Sequence, residues 1–531
     1  MSERQGRRAG LAREGLVTVP HTQSGLTGRA LRGLSWNYLG TIGRIAATFI
    51  SQIMLARLLG PEQVGLFGYA MLTTNFLALV VEMGLQMALV QVPDLDDNAI
   101  AVACGRLLFV STATALGVYV AADAIAGLVF ATPQAAPLLR AMAPTLVVGA
   151  ATAAVTAVLS RDIEFKVIQL AGLGSYVLGY LIVGVAAALL GMGVWSLVLA
   201  WHVQTVTACL AMYYYSPRSL KPGNPFRRLD VSHFGGVVMV TNMINWVIDN
   251  GPHVAIGRWL GAALLGQYTV ANNLVKVPAD HLVRNLQTVL FPLAARAQDN
   301  DAGLSRAYLT VLAGVGVVSF PLFAFVALMA EPIVLMLLGT HWIDAAAVLV
   351  PLSVAMIGHA IEALCGPILG GRGEPGAELR VKTATLIVML LVLAFTASWS
   401  LPAVGWGVAG VYAFRWLWMN AIVMKRLQIP LHAIGAALLG PLLLSALCAV
   451  AVRLVDAAFV GLPQAASPAA LVIATSVVGV ALIGAAVVGA PGVVLGRHLL
   501  ALVDRLVKQR PGVARIPGFR RIAAFAARSS A

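Results

Sequence analysis

The segment Arg57-Leu-Leu-Gly-Pro-Glu-Gln-Val-Gly-Leu-Phe67 returns later in the chain as Arg258-Trp-Leu-Gly-Ala-Ala-Leu-Leu-Gly-Gln-Tyr268. The offset is 201 residues, and the arginine, one leucine, both glycines and the terminal aromatic residue coincide. A second correspondence pairs Pro144 with Pro351 at an offset of 207 residues. Two matches in the same chain order indicate an internal repeat.

Long apolar runs surround both copies of this segment. The chain is 59% apolar and 11% charged, whereas soluble domains average about 25% charged residues. A bilayer-spanning helix needs about 20 apolar residues, and the sequence predicts 14 such spans. We place them near 34–56, 64–89, 102–122, 138–158, 167–190, 193–214, 233–255, 264–292, 306–329, 343–369, 380–400, 403–424, 433–455 and 468–490.

The predicted fold is therefore an all-α polytopic membrane protein with about 14 transmembrane helices. Six spans separate the two copies of the repeat, so both copies start on the same side of the membrane and the repeat is parallel. The predicted divisions are a basic cytoplasmic arm at 1–33, an N-lobe of spans 1–6 at 34–214, a cytoplasmic linker at 215–232, a C-lobe of spans 7–12 at 233–424, spans 13 and 14 at 433–490, and a basic cytoplasmic tail at 491–531.

The distribution of Lys and Arg predicts the orientation. With a cytoplasmic N-terminus, 27 of the 36 basic residues lie on the cytoplasmic side, four lie on the opposite side and five lie inside spans. Because positive charge accumulates in cytoplasmic loops, we expect both termini to be cytoplasmic. The net charge of +14 is scattered over short gaps, whereas nucleic-acid binders concentrate theirs on one face. We expect no nucleic-acid partner.

Motifs for catalysis, metals and cofactors do not rise above background. The four cysteines all fall inside apolar runs, without the spacing of a metal site or disulfide framework. The acidic turn at Asp94–Asp97 directly precedes span 3, where such residues cap helices. We therefore expect no enzyme activity, no metal site and no cofactor.

Ionisable residues inside spans are the candidates for function, because each costs about 2.5–3.5 kcal/mol at the bilayer centre and needs a partner or a wet cavity. Cations are in slight excess, which suits an anionic substrate such as a pyrophosphate. The candidate binding residues are Arg44, Lys276, Arg284, Arg106 and Arg415. The alternatives are snorkelling of Arg44 toward the cytoplasm, an ion pair of Arg106 with Glu82, and aromatic stacking of Arg415.

Two carboxylates are candidates for energy coupling, Asp249 in span 7 and Glu362 in span 10. Asp249 lies one helical turn after Asn245, the repeat mate of Arg44, so Arg44 and Asp249 are placed to pair across the cavity in one state and separate in another. The alternative is that Asp249 only neutralises a nearby arginine and fixes helix packing. Asp280 lies between Lys276 and Arg284 on one helix stripe and can neutralise only one of them.

The stretch Gly257–Asn300, GRWLGAALLGQYTVANNLVKVPADHLVRNLQTVLFPLAARAQDN, resembles the polysaccharide transport family of the multidrug/oligosaccharidyl-lipid/polysaccharide exporter superfamily. The opening of the chain, from Trp36 to Gly84, is similar to the first two spans of that family, and the resemblance extends over about residues 30–430. The residues that carry the resemblance are Trp36, Arg57, Gly60, Gly65, Glu82, Gly84, Gly266, Tyr268, Pro278, Phe291, Pro292 and Arg296.

The resemblance implies two six-helix lobes, a cationic central cavity and alternating access. It implies a flippase that moves a polyprenyl-pyrophosphate-linked oligosaccharide across a bacterial inner membrane for surface polysaccharide synthesis. The expected partners are that lipid-linked glycan, the bilayer, and the polysaccharide polymerase with its chain-length machinery. A cation-coupled multidrug exporter of the same superfamily is the alternative. A membrane-embedded glycan polymerase is disfavoured, because such enzymes need a long periplasmic loop to hold acceptor and donor. The longest predicted loop on the periplasmic side spans only about 455–468.

Overall fold

The computed structural model of the 531-residue chain describes residues 23–82, 97–162, 164–216, 222–226, 235–296, 301–371, 375–459, 467–509 and 519–530. Within these residues the secondary structure is helical throughout. The predicted all-α polytopic architecture is confirmed. We refer to residues 43–214 as the N-half and residues 235–427 as the C-half.

The helices of the N-half include two that turn into short π-helical stretches, Ile125–Val129 after α2 and Val177–Gly184 after α5. In chain order the helices are α1 Gln23–Glu82, α2 Asp97–Ala124, α3 Ala135–Met142, α4 Pro144–Arg161, α5 Phe165–Tyr176, α6 Val185–Leu189 and α7 Val194–Tyr214. The first two predicted spans form one helix, α1, which is broken by non-helical backbone at Gly60. This helix already begins at Gln23, inside the predicted arm.

Eight α-helices form the described part of the C-half. They are α8 Gly235–Trp259, α9 Ala262–Arg296, α10 Asp301–Leu328, α11 Ala330–Leu337, α12 Ile343–Glu362, α13 Cys365–Gly371, α14 Pro375–Thr396 and α15 Leu401–Leu427. After the C-half come α16 Leu431–Phe459, α17 Pro468–Gly489, α18 Pro491–Val494, α19 Gly496–Gln509 and α20 Phe519–Ser530. Thus the predicted basic tail contains helices, and α19 packs on α10 and α20.

Ten helical stretches in the described residues are long and apolar enough to cross a membrane. One of them, Gly43–Val81, holds two predicted spans, so this finding does not decide whether the total is 14. Helices α8, α9 and α15 coincide with predicted spans but are not among the ten.

The two halves meet where α1 packs along α9. A Cβ added at Gly65 would overlap the carbonyl oxygen of Ala262, and one added at Gly266 would overlap the carbonyl oxygen of Pro61. The backbones can approach this closely only because both positions are glycine. The large buried side chains of Tyr69, Tyr268 and Trp342 belong to the hydrophobic core around this junction.

Two further glycines, close to this junction, bend the chain between consecutive helices. Gly60 has φ 74° and separates the two parts of α1, and Gly261 has φ 88° and separates α8 from α9. Glycine adopts positive φ without the steric cost that a Cβ imposes. The two positions differ by the repeat offset of 201 residues, so the sharp bend between consecutive helices occurs at matching points of the two halves.

Candidate functional site

A cavity of 590 Å³ lies between the two halves. The N-half contributes its walls from α1, the π-helical end of α5, and α7, and the C-half contributes α8 and α9. A cleft between two halves of a helical membrane protein is the usual place for a substrate site.

Arginine side chains of both halves form hydrogen bonds across the junction of the halves. Arg57 of the N-half donates to the carbonyl oxygens of Leu337 (2.6 Å) and Met336 at the end of α11. Arg258, its repeat mate, donates to the carbonyl oxygen of Gly127 in the N-half at 3.2 Å. Each arginine therefore satisfies exposed carbonyl groups at a helix end of the opposite half.

The carbonyl groups of Ala56 and Gly257 each accept a hydrogen bond from the opposite half as well. Trp342 Nε1 of the C-half donates to the carbonyl oxygen of Ala56 at 3.2 Å. The hydroxyl of Tyr69 in the N-half donates to the carbonyl oxygen of Gly257 at 2.9 Å. The two acceptors are 201 residues apart, so each half accepts a bond from the other at matching positions of the repeat, although the donors differ.

Three charged side chains line the described part of the cavity, namely Arg44, Asp249 and Lys276. Lys276 Nζ lies 3.4 Å from Asp249 Oδ2 and 3.5 Å from Asp280 Oδ1, so two carboxylates share this cation. The hydroxyl of Tyr412 donates to Asp249 Oδ1 at 3.2 Å. Arg44 lies on the N-half wall and has no ion-pair partner among the described side chains.

A second group of charges lies behind the cavity in the C-half. His359 Nε2 lies 3.4 Å from Asp280 Oδ1, and His359 Nδ1 lies 3.3 Å from Arg415 Nη2. Arg415 Nη2 also donates to Glu362 Oε2 at 2.8 Å, and its guanidinium group lies over the Tyr412 ring. A chain of contacts thus connects the cavity residue Lys276 to the buried Arg415–Glu362 pair.

The remaining polar lining of the cavity is uncharged and partly unsatisfied. Within the described residues, Gln52 Nε2, Trp201 Nε1, Gln204 Oε1 and His253 Nδ1 are buried atoms without a hydrogen-bond partner. All four residues line the cavity. Because buried polar groups are normally paired, these atoms are available to water or to a ligand with hydroxyl groups.

Aromatic rings lie beside these polar atoms on the N-half wall. Tyr176 and Tyr180 stack with their centroids 4.9 Å apart, and both line the cavity. The Tyr176 hydroxyl is 2.9 Å from Ser51 Oγ. Together with Trp201, these rings give the wall flat apolar faces next to hydrogen-bonding groups.

The structure separates the predicted site residues into three groups. Arg44, Lys276 and Asp249 line the cavity. Arg415 and Glu362 pair with each other behind it. The Nε of Arg106 donates to the carbonyl oxygen of Pro225 at 3.2 Å, so this residue faces the linker.

Two predicted residues are not in these groups. The side chains of Arg284 and Glu82 lie outside the described residues, so the stripe formed by Lys276, Asp280 and Arg284 is described only as far as Asp280. The pairing of Asp249 with Arg44 does not occur here, because Asp249 instead contacts Lys276 and Tyr412.

Several cavity residues escaped the sequence analysis. His253 lies one helical turn after Asp249, and Asn272 and Asn273 lie one turn before Lys276, so helical spacing from the charged residues could have found them. Helical spacing from the charged residues does not point to Gln52, Trp201 or Gln204. Neutral polar residues are common in membrane helices, and only packing shows which of them face a cavity.

An all-helical membrane protein with a polar cavity between two matched halves belongs to the class of transporter folds. Residues 54–347 match the polysaccharide biosynthesis protein family, and the chain belongs to that family. The succinoglycan biosynthesis transport protein ExoT of Rhizobium meliloti is 29% identical over 59% of this chain and 63% of its own length. The lipopolysaccharide biosynthesis protein WzxC of Escherichia coli is 22% identical over 59% of this chain and 64% of its own length. The match thus spans slightly less than two thirds of these two relatives.

A longer match and two solved structures extend the comparison. The teichuronic acid biosynthesis protein TuaB of Bacillus subtilis is 22% identical over 79% of this chain and 88% of its own length. The lipid II flippase MurJ in an inward closed conformation superposes with a TM-score of 0.66 at 12% identity, over 85% of this chain and 97% of MurJ. An inward-facing multidrug resistance MATE transporter of the MOP superfamily gives 0.54 at 16% identity, over 73% and 99%. The chain therefore shares the fold of these two transporters.

Proposed function

We propose that the protein is a flippase for a polyprenyl-pyrophosphate-linked oligosaccharide repeat unit, acting in a bacterial inner membrane during surface polysaccharide synthesis. The proposal makes it a transporter without catalytic chemistry. The bilayer holds the polyprenyl tail, the cavity holds the polar head, and a polymerase with its chain-length machinery receives the product. The three relatives carry the names of three different surface polysaccharides, which favours a glycan substrate over a drug.

The chemistry of the cavity supports a phosphate-bearing substrate. Arg44 offers a planar guanidinium group that can hold two phosphate oxygens at once. Lys276 is shared between Asp249 and Asp280, at 3.4 and 3.5 Å, and a pyrophosphate entering the cavity competes with those carboxylates for its ammonium group. The charges of the described lining residues, Arg44, Lys276 and Asp249, sum to one positive charge.

The uncharged lining supports a sugar next to that phosphate. Sugar hydroxyls donate and accept hydrogen bonds, which suits Gln52, Gln204 and His253, whose buried polar atoms have no described partner. The faces of Tyr176 and Tyr180 offer flat apolar contact to sugar rings.

We propose alternating access as the mechanism, with the N-half and C-half as two lobes. The Gly65–Gly266 junction is then the closed gate on one side of the membrane. To open it, the two halves must separate α1 from α9 and break the cross-half bonds donated by Arg57, Arg258, Trp342 and Tyr69. Those bonds are few and mostly to carbonyl groups that water can satisfy instead, so the gate can open without stranding buried charges.

The observation that carries the proposal is a cavity lined by Arg44 and Lys276, in which Arg44 has no ion-pair partner among the described side chains, and by amide, imidazole and indole groups without a described hydrogen-bond partner. The test uses proteoliposomes that contain a fluorescent polyprenyl-pyrophosphate-linked oligosaccharide, with a membrane-impermeant quencher outside. We expect protein-dependent transfer of this lipid between leaflets, and much slower transfer of a polyprenol that lacks the pyrophosphate. Equal transfer of both lipids, or none above empty liposomes, would contradict the proposal.

A cation-coupled exporter of small molecules is the second candidate, favoured by the carboxylates Asp249 and Asp280 around Lys276. Carboxylates in the cavity can bind a proton or an organic cation. The same proteoliposomes distinguish this candidate when loaded with a cationic dye. Gradient-driven dye efflux without transfer of the lipid-linked glycan would replace the flippase proposal.

A further inference from the structure

His359 lies between the cavity and the buried Arg415–Glu362 pair, and the proposed function leaves it without a role. It occupies the last turn of α12, and its side chain is only 14% exposed. The two ring nitrogens contact different helices. Nε2 lies 3.4 Å from Asp280 Oδ1 on α9, and Nδ1 lies 3.3 Å from Arg415 Nη2 on α15. The imidazole therefore bridges a carboxylate and a guanidinium group.

These two contacts determine which ring nitrogen carries the proton. A guanidinium group only donates hydrogen bonds, so Nδ1 of His359 accepts from Arg415. The ring proton is therefore on Nε2, which donates to Asp280 Oδ1. The same Arg415 Nη2 donates to Glu362 Oε2 at 2.8 Å, and the Tyr412 ring meets the imidazole edge to face. These contacts fix the direction in which His359 donates.

The oxygen that accepts from His359 also accepts from the cavity lysine. Lys276 Nζ lies 3.5 Å from the same Asp280 Oδ1. Two donors that converge on one oxygen repel each other through their positive hydrogens, so each weakens the hold of that oxygen on the other. His359 thereby loosens the bond between Asp280 and Lys276. The direction of this effect is independent of the other contacts of Asp280, because it arises at the shared oxygen.

The strength of this bond matters because Lys276 lines the cavity, whereas Asp280 and His359 do not. The ammonium group of Lys276 is divided between the carboxylates of Asp249 and Asp280 and the phosphate oxygens of the proposed substrate. A lysine that Asp280 holds less tightly moves to a phosphate at a lower cost in free energy. A hydrogen bond from His359 to Asp280 thus raises the affinity for phosphate without contact between His359 and the ligand.

We propose that His359 is a positioning residue that keeps Lys276 available to the pyrophosphate of the substrate, by donating to the Asp280 oxygen that otherwise holds the lysine more tightly. The inference rests on the proposed function and adds to it a residue outside the cavity that sets the affinity of the site. Arg415 supports this role, because it holds the imidazole in the tautomer that donates to Asp280. Since His359 acts through Asp280, the removal of the Asp280 carboxylate must also remove the effect of His359.

The test measures the affinity for inorganic pyrophosphate by isothermal titration calorimetry, with the purified full-length protein in nanodiscs. His359→Leu removes the donor, and we expect about fivefold weaker binding, the effect of one hydrogen bond. His359→Gln carries an amide N–H that can replace Nε2–H, and its affinity should stay within twofold of the wild type. The control is His202→Leu in α7, since His202 bonds the carbonyl of Val198 and does not line the cavity. Its affinity should be unchanged.

A double-mutant comparison separates positioning from damage to the fold. Asp280→Asn releases Lys276 from one of its two described carboxylates and should bind pyrophosphate more tightly than the wild type. Adding His359→Leu to Asp280→Asn should then change the affinity less than twofold. A fivefold loss in both backgrounds would show that leucine damages the cavity by itself and would overturn the proposal. Wild-type affinity in His359→Leu, or an equal loss in His359→Gln and His359→Leu, would overturn it too.

Failure of this inference is distinguishable from failure of the proposed function. If the wild type binds no inorganic pyrophosphate, the phosphate site is wrong and both proposals fall. The lipid-transfer assay in proteoliposomes tests the proposed function alone. If the wild type transfers the lipid-linked oligosaccharide and binds pyrophosphate, but all His359 variants bind it equally well, only the positioning role is overturned.

Discussion

Gly65 and Gly266 face each other across the junction of the two halves, and neither position has room for a side chain. Gly65 contacts the backbone of Ala262, and Gly266 contacts the backbone of Pro61. Adding the repeat offset of 201 to 61 and 65 yields 262 and 266, so the two contacts are the same contact seen from either half. Such reciprocity is what a two-fold axis between parallel repeats requires. The repeat noticed in the sequence therefore coincides with the junction between the halves.

This relationship predicts that a methyl group at either glycine will damage the closed state. Gly65→Ala places a Cβ against the Ala262 carbonyl, and overpacking of this kind costs about 1–3 kcal/mol. The matched control is Gly117→Ala in α2, where an added Cβ would have no neighbour within 4 Å. We expect a lower thermal unfolding midpoint for Gly65→Ala and Gly266→Ala, and an unchanged or higher midpoint for Gly117→Ala. Equal midpoints for all three variants would rule out the close contact.

The buried pair of Arg415 and Glu362 is expected to act chiefly on stability. Glu362→Gln leaves the Arg415 guanidinium buried without its carboxylate, and breaking a buried pair costs about 3–5 kcal/mol. The exposed pair of Arg140 and Asp123 provides the comparison, since Asp123→Asn should cost at most about 1 kcal/mol. The double variant Glu362→Gln/Arg415→Met should recover most of the loss. Thermal unfolding in detergent checks this, and an unstable double variant would show that the pair has another role.

The class of fold could be predicted from the sequence, because apolar runs of about 20 residues are a local property of the chain. Gly60 and Gly261 could also be identified from the sequence, because they occupy matching positions in the internal repeat. The partners of the charged residues could not be predicted, because they depend on which helix faces are neighbours. Asp249 illustrates this: its repeat mate suggested Arg44, whereas packing of α8 on α9 and α15 brings Lys276 and Tyr412 to it. Neutral residues such as Gln52 and Gln204 became candidates only once the cavity was seen.

The orientation in the membrane stays a prediction from the distribution of Lys and Arg. Reporter fusions after Lys221, after Arg372 and at the C-terminus should all report the cytoplasm. Fusions near Gly191 and Pro463 should report the periplasm. A periplasmic signal from the C-terminal fusion would be incompatible with 14 spans and a cytoplasmic N-terminus.

Asp249 is the residue that we expect to couple transport to an ion gradient. It lines the cavity and shares Lys276 with Asp280, so protonation of Asp249 would change how strongly that lysine is held. Asp249→Asn should fold normally, since Lys276 keeps Asp280, and should lose the response of lipid transfer to an imposed proton or sodium gradient. Asp123→Asn, on the protein surface, serves as the control. An unchanged gradient response in Asp249→Asn would assign Asp249 a packing role only.

The central claim, that cations in the cavity carry a pyrophosphate-linked glycan across the membrane, is tested most directly at Arg44. This residue lines the cavity and has no described ion-pair partner, so its removal strands no buried carboxylate in the described structure. Arg44→Ala is compared with Arg140→Ala, which lies outside the cavity, at equal protein amounts in the proteoliposome assay. We predict at least a tenfold slower transfer of the pyrophosphate-linked oligosaccharide for Arg44→Ala, about what the loss of one charge-assisted hydrogen-bonding group costs. Transfer at the wild-type rate in Arg44→Ala would contradict the account.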